Sequence, residues 1–362
     1  PLSNYFDVDN DIIFDIGLTP NRSDAMSHIG VARDLQAALN HRGRELQICI
    51  PNVDNFLVSN TDSSISIKIN KPELCYRYTG VLLDNVKVSS SPDWLKNRLK
   101  SIGLKPINNI VDITNYVLHE TGQPLHAFDF SKILGGKIIV DTAKEGSSFV
   151  TLDEQEYHLC SDDLMIFNDS EPMCIAGVMG GLSSAVNKKT TQVFLESACF
   201  SSTSIRRSAK RHTLHTDASF RFERGVDPNM TIYALKRAAT LIQEVTGAIV
   251  SSEILDIYPL PKDDVQILLL FEKLDSLIGE QINRETIKKI LINLEFDILK
   301  ADKLGLKLKV PSYRVDVTRD VDVIEEILRI YGYNEISIPT KLISSINYNS
   351  AITSDSLQNS FS

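Results

Sequence analysis

Two interruptions set what this chain can fold into. Residues 51–64 are polar and rich in turn formers, and Pro259 and Pro261 mark a second boundary. Proline lacks a backbone donor and restricts the residue before it, so neither a helix nor a central strand runs through such a stretch. The 362 residues therefore divide into successive units, in keeping with roughly 100–200 residues per domain. We read 1–50 as part of a first domain, 62–261 as a second, 262–340 as a small third, and 341–362, where Ser and Asn accumulate, as a linker. Pro1 is not an initiator methionine, and both ends read as cuts through linkers of a longer polypeptide.

Within each unit the apolar spacing alternates between strand and helix periods. Residues 12–16 (IIFDI) read as a short strand, after which Thr19-Pro20-Asn21 turns and Ser23 caps a helix bearing Val31, Leu35, Ala38 and Leu39, stopped by Gly43. Ile65, Ile67 and Ile69 alternate as in a half-buried strand. Strands over 76–83, 137–141 and 193–198 then mix with helices around 92–102, 110–121 and 229–246, the last ended by Gly247. The third unit reads helix (271–278), helix (284–294), strand (296–299), strand (306–310), helix (321–332), a winged-helix-like or helix-and-hairpin module. The fold class is α+β, in several domains.

Apolar residues at 43% and charged residues at 23% are those of a folded globular protein. With 38 Lys+Arg against 47 Asp+Glu, a formal charge of -9, the chain is not coated in cations, and any nucleic-acid contact is local. Five scattered cysteines without a CxxC pair signal neither a disulfide framework nor a zinc ribbon, so a reducing cytoplasm is the expected compartment. The densest apolar run, residues 267–271, falls far short of the roughly 18 residues needed to cross a bilayer, and no membrane or export signal is expected. GxSxG, Walker and GxGxxG motifs are absent, which removes the signatures of serine hydrolases, P-loop enzymes and dinucleotide enzymes.

Three constellations could carry chemistry. Asp316 follows a strand, and Asp322, Glu325 and Glu326 stand at i, i+3 and i+4 of the next helix, on one face. Either a hard divalent ion such as Mg²⁺ neutralises them, or they form a solvated acidic face with Arg314, Arg319 and Arg329 as partners. Arg206, Arg207, Lys210, Arg211, Arg221 and Arg224, interleaved with Phe220 and Phe222, form a local basic strip. It suits a phosphate backbone or an unstacked base, or else pairs with acids of the same chain. His212 and His215 lack the cysteine or HExxH context of a zinc site. Last come isolated polar residues beside small ones: His126, the glycines 177, 180 and 181, and Glu196. Taken singly, these read as a core histidine, a turn and an exposed strand carboxylate.

In order, the segments GLTPNRSDAMSHIGVARDL, VDITNYVLHETGQPLHAFD, GVMGG, FLESACF, RRSAKRHTLHTDASFRFERGVDP and PSYRVDVTRDVDVIEEILRIYGY resemble the family of bacterial phenylalanyl-tRNA synthetase beta subunits, from about residue 11 to 340. The resemblance implies that 1–50 is the remnant of the N-terminal domain and that 62–261 is an editing domain, which hydrolyses tyrosine wrongly esterified to the phenylalanine tRNA. Its pocket then falls on His126, Gly180, Glu196, Thr216 and Ala218. A hydrophobic Phe pocket rejects an added hydroxyl by only about 10²-fold, whereas a site that hydrogen-bonds that hydroxyl can discriminate by roughly 10⁴–10⁵. Glu196 as acceptor, with a backbone N–H near Gly180 as donor, suits the second task, and His126 would orient the ester or a held water.

The resemblance further implies Mg²⁺ on Asp316, Asp322, Glu325 and Glu326 at a boundary with the alpha subunit, within an α2β2 heterotetramer. It implies a role in tRNA binding for Lys105, where the family often shows Arg, beside the strip of Arg206, Arg207, Lys210 and Arg211. ATP would be used at the alpha-subunit active site, so this chain would not aminoacylate by itself. Two rivals stand beside the editing function: a noncatalytic scaffold, and a nucleic-acid-binding module acting through the terminal unit. The acidic 316–326 segment counts against the second, since it repels phosphates.

Overall fold

A computed structural model of the chain describes residues 12–59, 65–337 and 354–361. Residues 12–18 form no helix or strand, a 3-10 turn covers Ser23–Ala25, and helix α1 spans His28–His41. The strand expected over 12–16 does not form: the segment joins no sheet among the described residues, and Ile12, Ile13 and Phe14 are exposed. An apolar run becomes a strand only where a neighbour takes its N–H and C=O groups. Helix α1 is capped by Ser27 instead of Ser23: the Ser27 side chain accepts the Gly30 N–H at 3.0 Å.

Residues 66–84 form strands β1 (Ser66–Ile69) and β2 (Cys75–Asp84), followed by helices α2 (Asp93–Ser101) and α3 (Asn109–Thr121). Strands β3 (Leu125–Asp129), β4 (Lys137–Thr142), β5 (Ser148–Val150), β6 (Glu156–His158), β7 (Leu164–Phe167), β8 (Pro172–Ile175) and β9 (Met179–Gly180) come next. Strand β10 (Val193–Phe200) leads into helices α4 (Ser202–His212), α5 (Asp217–Phe222) and α6 (Met230–Thr246), and strands β11 (Ile249–Val250) and β12 (Leu255–Ile257) close the unit. One sheet runs β11-β2-β10-β3, with β12 also on β2; a second runs β1-β4-β7-β8-β9; β5 and β6 form a separate hairpin.

Alternation along the first sheet sorts its side chains into two cores. Val81, Leu83, Val193 and Leu195 face helices α3 and α6, meeting Ile113, Val117, Ala234, Leu235 and Ala238. Tyr78, Leu82, Phe128, Phe194 and Ala198 face the second sheet, meeting Ile138, Val140, Met165 and Ile166. The layers are helix, sheet, sheet, and β10, buried at every position, lies in the middle one. Helix α6 ends as its sequence predicts: Gly247, at φ +75°, returns its N–H to the Gln243 carbonyl.

The third unit contains β13 (Gln266–Leu270), α7 (Phe271–Ile278), α8 (Arg284–Asn293), β14 (Asp297–Ala301), β15 (Gly305–Lys309) and α9 (Asp320–Tyr331). Strand β13, in the sequence no more than an apolar run, pairs with β15, so the hairpin becomes a three-stranded sheet. A last helix, α10 (Ser354–Phe361), lies in the segment read as linker.

Helix α1 packs on α3 of the central unit and on α8 and α9 of the third, placing Ala37 in the third unit's core. Charged side chains reinforce both contacts. Arg329 binds Asp34 through two nitrogens at 3.0 Å, and Arg22 binds Asp24 at 2.9 Å and Asp34 at 2.8 Å. Arg314, buried, binds Asp316 twice at 3.0 Å and Glu326 at 2.5 Å, with Asp24 3.8 Å away. On the opposite side Arg221 Nε donates to the Met26 carbonyl at 3.2 Å, and His28 Nδ1 lies 3.0 Å from the His119 carbonyl oxygen.

Burial by itself pushes the Glu326 carboxyl up, but hydrogen bonds from Arg314 and Arg329 outweigh it and hold the group at about 2. A carboxyl lowered by folding stabilises the native state above its ordinary value near 4.5, and that contribution is lost as pH falls through about 2. We expect on the order of 3 kcal/mol to disappear between pH 4.5 and 2, and Glu326→Gln to abolish that part of the acid dependence. Arg314→Leu, which strands several acids in the interior, should cost about 3–5 kcal/mol at neutral pH. Urea titrations across this pH range check both; a loss below about 1 kcal/mol for Arg314→Leu would mark the network as solvated.

Candidate functional site

Strand β10 brings together residues remote in sequence. Its pairing with β3 sets Glu196 directly opposite His126, and its pairing with β2 sets Glu196 opposite Gly80. Directly opposed residues of an antiparallel pair project from the same face. Here that face points between the two sheets. Gly80 adds no side chain, and the Phe194 ring fills the space where its Cβ would stand. Tyr78, two residues earlier on β2 and fully buried, reaches diagonally to donate its hydroxyl to Glu196 Oε2 at 2.6 Å. Glu196 Oε1 has no hydrogen-bond partner among the described residues, and neither have the ring nitrogens of His126.

The β8–β9 turn forms the wall opposite. Gly177, at φ +66°, makes the turn, and the backbone of Gly180 lies against the imidazole. A Cβ on Gly180 would stand 2.5 Å from His126 Cε1, so only glycine leaves the ring in place. Thr216 caps α5 by accepting the Ser219 N–H, and its hydroxyl donates to the Val178 carbonyl at 2.9 Å, fastening α5 to the same turn. Ala218 packs against the inter-sheet core. The five pocket residues implied by the resemblance are thus linked through one strand pair, one turn and one helix start.

Burial decides the charges here. It pushes the Glu196 carboxyl up to about 8, opposed in part by the hydrogen bond from Tyr78, and it lowers the His126 imidazole to about 4. Both groups are therefore mostly neutral at pH 7. Glu196 is not the exposed strand carboxylate of the bland reading, nor only an acceptor, because a neutral carboxyl also donates. His126, half-buried and neutral, has a basic nitrogen able to take a proton from water. Tyr78 carries no signal of its own in the sequence: alternation within 76–83 puts it on one of two faces, and only the register with β10 says which.

The basic strip divides. Arg206, Arg207 and Lys210 are exposed on α4 and make no ion pair among the described residues. Arg211 instead binds Asp162 at 2.7 Å and Asp163 at 2.6 Å, and His212 Nε2 lies 2.7 Å from buried Asp163. Arg221 is buried against Asp217, while Arg224 stacks on Phe220, 3.7 Å from the ring centre, and pairs with Glu223. Lys105 is exposed between α2 and α3.

The four carboxylates of the expected Mg²⁺ site are not gathered around one point. Asp316 accepts from Arg314 and Asn21, Glu326 from Arg314 and Arg329, and Asp322 caps its own helix by accepting from the Thr318 and Arg319 N–H groups. Glu325 points to solvent. No group of three His, Cys, Asp or Glu side chains among the described residues is placed to hold a metal. So arranged, the set does not fit a hard cation, whose oxygen ligands must converge, because arginines already take the places it would need.

Residues 74–247 match the family model of the B3/4 domain, and residues 267–333 that of the tRNA synthetase B5 domain. The phenylalanine–tRNA ligase beta subunit of Bacteroides fragilis (strain YCH46) is 53% identical over 343 residues, covering 95% of this chain and 42% of the relative. That of Porphyromonas gingivalis is 50% identical over 349 residues, covering 96% and 42%. A solved N-terminal fragment of the phenylalanyl-tRNA synthetase beta subunit from Pyrococcus horikoshii is 16% identical, covers 87% of this chain and 85% of that one, and has a TM-score of 0.42. No helix among the described residues is long and apolar enough to cross a membrane. The chain spans less than half the length of the curated relatives it matches, and over that span, through its B3/4 and B5 domains, it belongs to the family of phenylalanine–tRNA ligase beta subunits.

Proposed function

We propose that the central unit is a hydrolytic proofreading site that removes tyrosine from phenylalanine tRNA, within a beta subunit that assembles with an alpha subunit carrying the ATP-dependent synthetic site. The observation that carries this reading is the pairing of Glu196 and His126, side by side on one sheet face against the bare backbone of Gly180. An aminoacyl ester is already activated, so a positioned water suffices and no covalent nucleophile is needed. His126 orients that water and takes its proton as its oxygen attacks the ester carbonyl. The imidazolium then returns that proton to the ribose oxygen as its bond to the carbonyl carbon breaks, leaving free tyrosine, tRNA with its hydroxyl restored, and neutral His126. Glu196 meets the para-hydroxyl, which phenylalanine lacks. Arg206, Arg207 and Lys210, on the helix just before Thr216, serve the tRNA backbone, and Lys105 a second phosphate.

With assembled full-length enzyme, Glu196→Ala should lower the ratio of tyrosyl to phenylalanyl ester hydrolysis roughly tenfold to hundredfold, as expected for the loss of one or two hydrogen bonds. Equal loss on both esters would assign Glu196 to the chemistry or the fold. Wild-type enzyme inert on tyrosyl-tRNA would leave the noncatalytic scaffold reading.

Reversing the charge of Arg206, Arg207 and Lys210 together should weaken tRNA binding and flatten its salt dependence by up to about 0.9 in log–log slope for each phosphate no longer neutralised. Arg211→Glu should instead lower thermal stability, since Arg211 is committed to Asp162 and Asp163. An unchanged slope in the triple variant would sink the assignment of this helix to tRNA.

A further inference from the structure

Glu196 has two oxygens in different situations. Oε2 accepts the Tyr78 hydroxyl at 2.6 Å; Oε1 has no partner among the described residues. Around it the register sets His126 on β3 and Gly80 on β2, with the Phe194 ring over Gly80, and the Tyr78 hydroxyl is the side chain that holds the carboxyl. Tyr78 itself is held by its backbone, paired with Ala198 on β10 and Ile257 on β12, and by complete burial. Its hydroxyl has thus been brought into the apolar core with Glu196 as its single partner among the described residues. A buried tyrosine hydroxyl is costly unless it is bonded, and a phenylalanine would fill the same space without that cost.

We propose that Tyr78 is the residue that positions Glu196 for substrate discrimination, pinning Oε2 so that Oε1 alone is presented to the para-hydroxyl of the bound aminoacyl group. The proposal rests on the proofreading reading above and adds to it the source of its specificity. With Oε2 engaged as an acceptor, the proton of the neutral acid resides on Oε1. The carboxyl therefore donates to the phenol oxygen, and a phenylalanyl ring offers it nothing to bond.

The other titratable groups facing Glu196 are the His126 imidazole on β3 and two buried thiols, Cys75 on β2 and Cys174 on β8, both held protonated by burial. Because Tyr78 bonds to the ionised form as well, its hydroxyl lowers the carboxyl against the effect of burial. Removing the hydroxyl must therefore raise it, keeping Glu196 neutral to higher pH.

The test is Tyr78→Phe in the assembled full-length enzyme, with Glu196 titrated by the carboxyl infrared band and hydrolysis of tyrosyl- and phenylalanyl-tRNA followed from pH 6 to 9, corrected for spontaneous ester hydrolysis. The tyrosyl-to-phenylalanyl ratio should fall roughly tenfold, the scale of one hydrogen bond. The neutral carboxyl band of Glu196 should persist to higher pH than in wild type, and the alkaline limb of the selectivity profile should move with it. Selectivity within twofold of wild type together with an unmoved carboxyl titration overturns the proposal while leaving proofreading intact. A wild-type enzyme that hydrolyses neither ester overturns the proofreading reading and the proposal with it. Equal loss on both esters, with the titration unmoved, makes Tyr78 a packing residue only, and the same readouts on Tyr78→Leu separate that from a general loosening of the core.

Discussion

The burial of one carboxyl group at the centre of the molecule sets the terms for the rest. Strand β10 has neighbours on both edges and cores on both faces, so each of its residues is out of water. A strand so placed normally reads as an unbroken apolar run. Glu196 interrupts it, and leaving an unpaired carboxylate there would cost several kcal/mol. The fold answers in two ways: the group stays neutral, and Tyr78 supplies a hydrogen bond from the neighbouring strand. In the proposed function the unused oxygen of this buried group is the one that meets the substrate.

The second arrangement on which the architecture depends is helix α1. It comes from the stretch that sequence breaks set apart, yet it is a joint: apolar contacts and Arg329–Asp34 fix it to the third unit, while the contact of His28 with the His119 carbonyl, and just before the helix the bond from Arg221 to the Met26 carbonyl, fix it to the central one. The acids that the resemblance assigned to Mg²⁺ are caught up in this joint. Arginine serves there because its planar fork binds two carboxylates at once, as Arg314 does with Asp316 and Glu326. The alternative in which Arg314, Arg319 and Arg329 partner the acids is the one these side chains adopt, although Glu326 is buried and not part of a solvated face.

How much of this can be read from the residues follows the range of the interactions. Helix α6 and strand β10 are visible because apolar period and a glycine stop are local. Strand β13 is not, since Ile267–Leu270 satisfies neither period clearly, and its identity comes from pairing with β15. Residues 12–16 depart in the opposite sense, with a strand-like composition and no strand formed. The candidate site is legible only through the family resemblance. Taken singly, His126, Gly180 and Glu196 favour bland readings, and what joins them is a register between strands far apart in the chain. Tyr78 and Glu196 are separated by 118 residues, and Arg329 and Asp34 by 295. No spacing rule reaches so far.

The charge pattern fits the same geometry. On a chain of net charge -9, cations that meet a nucleic acid must be few and placed beside the chemistry. Helix α4 meets that condition through its buried side. Asp163, wholly inside, accepts from the Cys160 N–H, Ser208, Arg211 and His212, so the helix is fastened to the loop before β7. That leaves Arg206, Arg207 and Lys210 facing outward. The chain then turns at Thr213, in the left-handed region at φ +55°, and reaches Thr216, which binds the Val178 carbonyl on the wall that holds His126. In the proposed function a phosphate held on α4 is thus tied through a short, anchored stretch of backbone to the turn that frames the ester. In that reading Asp163, through α4, and Thr216, through the Val178 carbonyl, set the distance between grip and cut.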